Sequence, residues 1–559
     1  MTEFRNGHRV AVDFNGTQHQ LSTGIRICEF LGELYLRQNQ VVGATLNHHL
    51  VSLDTPIDGD SQLAVVTCQS PEGQSIVRRT ATYVFQSLVR RHFPELQLMI
   101  GQSLLGGYYY EVLGQPGDLP DWCARVNALL VDLIAQDIDF ERRTLSVEAL
   151  SGRLDDPFGF KARLLKGWAA PRVHVLELEG HQQLMLGPCA PSTGCLSGLQ
   201  VLPYPPGVVL TFPGAAATSP APSPQGQASH KLFKAYRETR EWNQLVGIAA
   251  VGDLTEATLE DRFDEVVRMA EALHEKKIAE IADSIASRRD HLRLICVAGP
   301  SSSGKTTFGR RLAVQLQVNG LQPVPISLDH YYRGRDKTPM DEFGELDFEA
   351  LEALNLELLD ETMGLLLQGR EVRMARYDFA TGSPTPRESW PVLKLRPEQV
   401  VVVEGIHGLN SALFPSIPAE QRFHIFVSAL TQLVIDEQNR IFTSDARLLR
   451  RIVRDRQYRG FSAADTISRW PSVRRGEEKY IFPFQDRSDA MFNSTLVYET
   501  AVLRNQAWRF LLEVPRQHPS RVKAYELLKF LELFVPVSSE AIPSTSVLRE
   551  FIGGSAFQT

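Results

Sequence analysis

Gly299-Pro300-Ser301-Ser302-Ser303-Gly304-Lys305-Thr306-Thr307 gathers glycines, hydroxyls and one lysine into a single short run. The glycines let the backbone curl so that several N–H groups converge on one point. A helix that starts there adds the partial positive charge of its N-terminus. Lys305 supplies a point charge for terminal phosphates, and the Thr306 hydroxyl is a ligand for Mg²⁺. The spacing G-x-x-x-x-G-K-T therefore predicts a site for ATP with Mg²⁺.

Such a loop needs acidic partners. Glu404 ends the run Val400–Val403 and is the candidate for the Mg²⁺ and water network; the plain alternative is a surface Glu at a strand end. Asp329 follows PVPISL and is the candidate general base for a substrate hydroxyl; the alternative is a helix N-cap. Residues 447–459, RLLRRIVRDRQYR, hold six arginines. On a helix, Arg447, Arg450, Arg451 and Arg454 share one face, while Leu448, Leu449, Ile452 and Val453 form a separate apolar face. A basic stripe on a mobile helix suits a lid that grips phosphate oxygens. A solvated face or an RNA-binding patch is the competing reading.

The elements around these residues fit that chemistry. Leu292–Val297 reads as a strand entering the loop, and TFGRRLAVQLQVNG as the helix leaving it. Val400–Val403 reads as a buried parallel strand, which aims Glu404 into the crevice at the sheet's carboxyl edge. From Leu292 onward, strand-like and helix-like runs alternate, predicting an α/β domain with a parallel sheet flanked by helices. Val266, Met269, Ala270, Leu273, Ile278, Ile281 and Ile285 mark a helix packed on that body. WPSVRRGEEKYIFPFQ, with Arg474, Arg475, Glu477 and Glu478, either contacts substrate or closes the sheet; the second is favoured. SRVKAYELLKFLELF reads as an amphipathic helix before a polar end.

Upstream, HRVAVDFNGTQHQL reads as a hairpin turning at Asn15-Gly16, GIRICEFLGELYL as a helix and QLAVVTCQ as a closing strand, together a small β-grasp-like module. Residues 75–213 read as mixed α+β: two helices around QLMIGQSLLGGYYYEVL, a strand pair with a Gly-Gly turn. Residues 213–230, rich in Pro, Ala, Ser and Gly, read as a flexible linker. The division is 1–70, 75–213, linker 213–230, helical connector 231–290, P-loop domain 291–515 and C-terminal helix and tail 516–559.

The chain of 559 residues is 43% hydrophobic and 22% charged, with a net charge of -7. A core is assured, and nothing attracts nucleic acid or an anionic membrane generically. No stretch of about 18 apolar residues occurs, so no membrane span is expected. Six scattered cysteines and a start lacking a secretory pattern predict a reducing, cytoplasmic setting. His407 and His424 read as core or surface residues. Monomer and oligomer both stay open.

Together, GPSSSGKTTF, the D-x-x-Y of Asp329 to Tyr332, Tyr377-Asp378-Phe379, VVVVEG and the arginine run with Arg459-Gly460 resemble the uridine kinase and phosphoribulokinase family. The resemblance covers about 220 residues. It implies that residues 299–307 bind ATP, that Asp329 is the catalytic base, and that Lys305, Arg451 and Arg454 assist transfer. It also implies that Tyr332, Tyr377 and Arg459 lie near the acceptor and that Thr306 and Glu404 support Mg²⁺. Uridine kinases continue Y-D-F with T-H-S-R, whose His and Arg lie near the pyrimidine; here those positions are Gly382 and Pro384. The expectation is ATP-dependent transfer to a nucleoside-like hydroxyl, with another small alcohol or a sugar phosphate as the alternative acceptor.

The N-terminal half resembles a TGS module followed by the editing-type domain of threonyl- and alanyl-tRNA synthetases, through Arg78-Arg79-Thr80, GGYYYE and LGPCAPSTG. The synthetase metal positions align with Tyr83, Ser87, Met185 and Cys189, none of them His, so editing hydrolysis is not expected. RNA contact by this half, with ATP as a switch, is the remaining partner reading. The combined layout resembles a group of bacterial proteins described as nucleoside or uridine kinases.

Overall fold

A computed structural model describes residues 9–150, 153–212, 230–342, 344, 346–378 and 381–557. Near the N-terminus, Arg9–Phe14 and Thr17–Ser22 form a hairpin about Asn15 and Gly16, both at positive φ, as an Asn-Gly turn requires. They join Val41–Leu46, His49–Val51 and Ser61–Thr67 in a mixed five-stranded sheet. The helix expected over GIRICEFLGELYL is broken into Ile27–Leu31 and Glu33–Gln38. Gly32, at φ 78°, interrupts the helical backbone between them.

The next region packs the helix Pro71–His92 against the strands Gln97–Leu104 and Gly107–Leu113. Its tight turn falls on Leu105-Gly106 rather than on the two glycines. Gly107 begins the strand instead, because a Cβ there would lie 2.1 Å from the Leu210 carbonyl oxygen. The stretch read as a linker lies, apart from its last residue, outside the described residues.

The C-terminal half is built on five parallel strands, β1 (Leu294–Ala298), β2 (Gln322–Ser327), β3 (Gln399–Glu404), β4 (Arg422–Ser428) and β5 (Ala490–Asn493), in the order β2-β3-β1-β4-β5. This is the parallel α/β sheet that the alternation of runs predicts. Helix α1 (Phe263–Ala286) lays Ile278, Ile281 and Ile285 against Phe308, Leu312 and Leu316 of helix α2 (Lys305–Val318). Covered strands read as continuous apolar runs, and Leu294–Ala298 and Val400–Val403 are buried throughout. The register does the positioning. Val297 and Ser327 both stand opposite Glu404, so β1, β2 and β3 end level. The loops leaving them open into the crevice where α/β sheets bind ligands.

Helices α3 (Thr443–Tyr458), α4 (Ala463–Tyr480) and α5 (Glu499–Leu512) close one side of this body. The segment between β4 and α3 runs into the N-terminal half. There the Glu437 carbonyl accepts from the Ile100 N–H at 2.9 Å and from Gln86 Nε2 at 2.8 Å. Lys161 pairs with the buried Glu437, and Arg440 donates to Ser103 Oγ at 2.9 Å. The end expected to be polar is instead core. Val547, Leu548 and Phe551 are fully buried, and the short helix α6 (Arg549–Ile552) returns to the body. Among the described residues, no helix is long and apolar enough to cross a membrane.

Candidate active site

Residues 299–304 make a tight loop between β1 and α2. Gly304 sits at φ 82°, a conformation open to glycine, and a Cβ there would lie 2.4 Å from Val547 Cγ1. A Cβ on Gly299 would meet the Val427 carbonyl oxygen at 2.0 Å. Ser302 is also left-handed, at φ 58°, which costs of order 1 kcal/mol and needs support from outside the loop.

That support comes from α3. Arg447 donates from Nε and Nη2 to the Ser301 carbonyl at 3.0 and 2.8 Å, and Arg450 reaches the Ser302 carbonyl at 3.3 Å. Each guanidinium is buried on a carboxylate, Arg447 with Glu477 of α4 and Arg450 with Glu499 of α5. Glu477 also accepts the Ser301 N–H at 2.9 Å. The arginine face expected to act together as a mobile lid is therefore split. Arg447 and Arg450 are fixed struts beneath the loop, because unsolvated guanidiniums need acceptors and the loop's carbonyls are the acceptors at hand. Through Glu477, the segment from Trp470 anchors the loop.

Lys305 Nζ lies inside the loop and donates to the Pro300 carbonyl at 3.1 Å. Burial lowers its pKa from the ordinary lysine value, against the pull of Glu404, Glu550 and Asp329. The Thr306 hydroxyl donates to Glu404 Oε1 at 2.9 Å. Burial pushes the Glu404 carboxyl up to about 7, with Lys305 opposing. A hydroxyl and a carboxylate side by side are hard oxygen donors that suit Mg²⁺. Among the described residues, no cluster of three or more His, Cys, Asp or Glu side chains could hold a metal by itself. Two protein oxygens completed by phosphates and water are the usual Mg²⁺ arrangement.

Asp329 begins the turn after β2, its N–H donating to Ser327 Oγ at 3.3 Å. Its charge acts on Lys305, Glu404, Tyr332 and Arg459, so it faces the same space. Tyr332 and Tyr377 meet edge to face with ring centroids 5.9 Å apart, and Tyr332 Oη donates to the Phe348 carbonyl at 3.1 Å. Arg451 donates to Ser301 Oγ at 3.0 Å. Arg451, Arg454 and Arg459 converge on the single buried carboxylate of Asp455, at 3.2, 2.8 and 3.7 Å. Three guanidiniums on one carboxylate leave a net positive surplus at the mouth of the loop.

Residues 294–501 match the Phosphoribulokinase / Uridine kinase family. Outside this kinase-family region, the N-terminal part matches threonine–tRNA ligases. That of Clostridium kluyveri is 25% identical over 191 residues, 34% of this chain and 30% of the ligase. That of Anaeromyxobacter dehalogenans is 30% identical over 164 residues, 28% of this chain and 25% of the ligase. The chain thus spans about a third or less of the length of these curated relatives. Among solved structures, one described as a possible uridine kinase from Bacillus stearothermophilus aligns at 15% identity and TM-score 0.28, covering 39% of this chain and 98% of that one. A D-glycerate 3-kinase from Cryptococcus neoformans aligns at 17% identity and TM-score 0.23, covering 48% and 89%.

Three site carboxylates escaped the sequence reading. Glu349 is one; its Oε2 is buried without a hydrogen-bond partner, and burial, with Glu477, pushes its carboxyl up to about 7. Nothing in DFEALEAL flags it. Asp455 lay within the arginine run, where six like charges drew attention from their one counter-charge. Glu550 comes from α6 and accepts from both the N–H and the hydroxyl of Thr307, at 3.0 and 2.9 Å.

Beside Tyr332 lies a cavity of about 190 Å³, walled in part by His330, Arg333, Lys337, Pro384 and Trp390. Over Gly382 lies the Arg335 side chain, whose Nε would be 2.2 Å from a Cβ at that position. In the N-terminal half, Tyr83 Oη donates to the carbonyls of Leu176 and His181 at 3.1 and 2.8 Å. Cys189 is buried, and burial pushes its thiol up. His407 is buried, and burial pushes its imidazole down to about 4. His424 lies 3.7 Å from Asp489.

Proposed function

We propose that this chain is an ATP-dependent phosphotransferase that moves the γ-phosphoryl group of ATP to a hydroxyl of a small, nucleoside-like acceptor. The observation that carries this reading is the meeting of Thr306 with Glu404 at the mouth of the loop, with Asp329 leaving the neighbouring strand at the same level. Lys305 and the loop N–H groups bind the terminal phosphates. Thr306 and Glu404 would hold Mg²⁺, which when bound neutralises charge on the β- and γ-phosphates. Asp329 accepts the hydroxyl proton of the acceptor. Arg451, Arg454 and Arg459 stabilise charge on the group in transfer. Tyr332, Tyr377 and Glu349 line the acceptor side, where a carboxyl held near neutrality can pair with a hydroxyl.

A second acceptor reading is favoured by the cavity wall. His330, Arg333 and Lys337 line it, with Arg335 and Arg376 adjoining, so an acceptor bearing an anionic group would find counter-charge. The test is a turnover panel of nucleosides, sugar phosphates and simple alcohols with purified protein. Asp329→Asn should lower kcat by about 10² to 10⁴ and leave MgATP affinity within about threefold. Wild-type kcat in that variant removes Asp329 from the base role, and no turnover across the panel refutes the phosphotransferase reading.

A further inference from the structure

At the N-terminus of an α-helix the first N–H groups have no partner within the helix. In a phosphate loop these are the groups offered to the nucleotide. In α2 the Phe308 N–H is already bonded to the Gly304 carbonyl at 3.0 Å. The Thr307 N–H, one position nearer the loop, is bonded to Glu550 Oε2 at 3.0 Å, and the Thr307 hydroxyl to the same oxygen at 2.9 Å. This carboxylate arrives from 243 residues further along the chain. It is not a local cap.

The segment that carries it is fitted to the loop. Val547 lies against Gly304, so closely that a methyl group there would be 2.4 Å away. Phe551 stacks under the Arg450 guanidinium, 5.0 Å from the ring centroid, and Arg450 in turn holds the Ser302 carbonyl. The charge on Glu550 acts on Lys305 and on Glu404. Loop, arginine strut and C-terminal segment thus form one packed unit, with an anion set where the loop offers a donor pair to anions. None of residues 546–552 falls in the family-matched region.

We propose that Glu550 is a built-in competitor for the nucleotide. Its carboxylate occupies an anion position of the phosphate loop, and a nucleotide must displace it to bind. A phosphate oxygen and a carboxylate oxygen cannot share the Thr307 N–H without like-charge repulsion. Nucleotide binding therefore swings Glu550 away and loosens the contact of Val547 on Gly304. The affinity of the loop is set partly by the tail, and whatever draws residues 546–552 off the body raises it. This inference rests on the reading of residues 299–307 as a nucleotide site.

The test is calorimetric titration of the full chain with MgADP. Glu550→Ala should bind about tenfold more tightly than wild type, about 1.4 kcal/mol. Glu550→Gln, which keeps the shape and loses the charge, should fall between the two. Glu540→Gln, an exposed carboxylate of the same tail, should match wild type. Equal or weaker binding in Glu550→Ala overturns the inference while leaving the nucleotide site intact. No binding by any form sinks the nucleotide reading and this inference with it. Should Glu550→Ala fail to fold, hydrogen exchange on the wild type decides. Amides of residues 546–552 should exchange faster with MgADP, and unchanged or slower exchange overturns the displacement.

Discussion

Replacing Arg447 by Met tests whether the phosphate loop is shaped from below. The guanidinium and the Glu477 carboxylate are 1% and 0% exposed. Arg447 makes two hydrogen bonds to the Ser301 carbonyl, at 3.0 and 2.8 Å, and one of 2.9 Å to Glu477 Oε2. Methionine fills the stem but leaves Glu477 charged and buried. Removing one partner of a buried pair costs about 3–5 kcal/mol. Adding Glu477→Gln removes the stranded charge and should recover more than half of that, since paired removal is close to neutral. The cost falls on the loop, because both partners grip Ser301, one at its carbonyl and one at its N–H. Amide exchange of residues 299–307 reads it locally. At 1.4 kcal/mol per tenfold, the single variant should accelerate loop exchange by about two orders of magnitude or more, and the double variant by much less. MgADP affinity should drop in the same order. Loop exchange unchanged in Arg447→Met, or the double variant no better than the single, would refute the claim that this pair holds the loop.

Other outcomes follow from the same geometry. Glu404 is an acid whose folded pKa is raised to about 7 from 4.5. The folded state therefore binds more protons than the unfolded one between those values, and wild-type stability without ligand declines as pH rises from about 4.5 to about 7. Glu404→Gln escapes that decline, although Lys305 then loses one of its facing carboxylates. The variant should melt higher than wild type at pH 8, by on the order of 1–2 kcal/mol, with the gap shrinking toward pH 5; parallel melting curves across that range contradict the buried-carboxylate account. Lys161→Met strands the buried Glu437 where the two halves pack together, at about 3 kcal/mol. Thermal unfolding should then resolve into two transitions where wild type shows a narrower separation; an unchanged melting profile would mean that this pair does not fasten the halves.

Much of this arrangement was legible in the sequence because it was local. The loop from Gly299 to Thr306 is a contiguous pattern, and the valine run before Glu404 announces a strand buried on both faces. Asp329 could be placed because it directly follows the strand-like run PVPISL, and in the structure only Leu328 separates it from Ser327, which stands opposite Glu404. What escaped was long-range. The apolar face of α3 was read correctly, but helical spacing could not tell Arg447 and Arg450, which turn inward onto Glu477 and Glu499, from Arg451 and Arg454, which share Asp455. All four occupy neighbouring positions, and only partners supplied by α4 and α5 distinguish them. Glu550 lies in a stretch that reads as polar coil, and its meeting with Thr307 depends on where Val547 and Phe551 find their core. Gly32 split a helix, and Leu105 took a turn position that two adjacent glycines seemed to claim, because a close approach to Leu210 reserved Gly107 for the strand.

The central claim is that residues 299–306 hold the terminal phosphates of a nucleotide through Lys305. Equilibrium dialysis of labelled ATP against the full chain, with and without Mg²⁺, measures this directly. The account predicts one Mg²⁺-dependent site per chain, weakened about tenfold to hundredfold in Lys305→Met. Binding of equal strength in Lys305→Met, or a wild type that retains no labelled ATP at millimolar concentration, would contradict it.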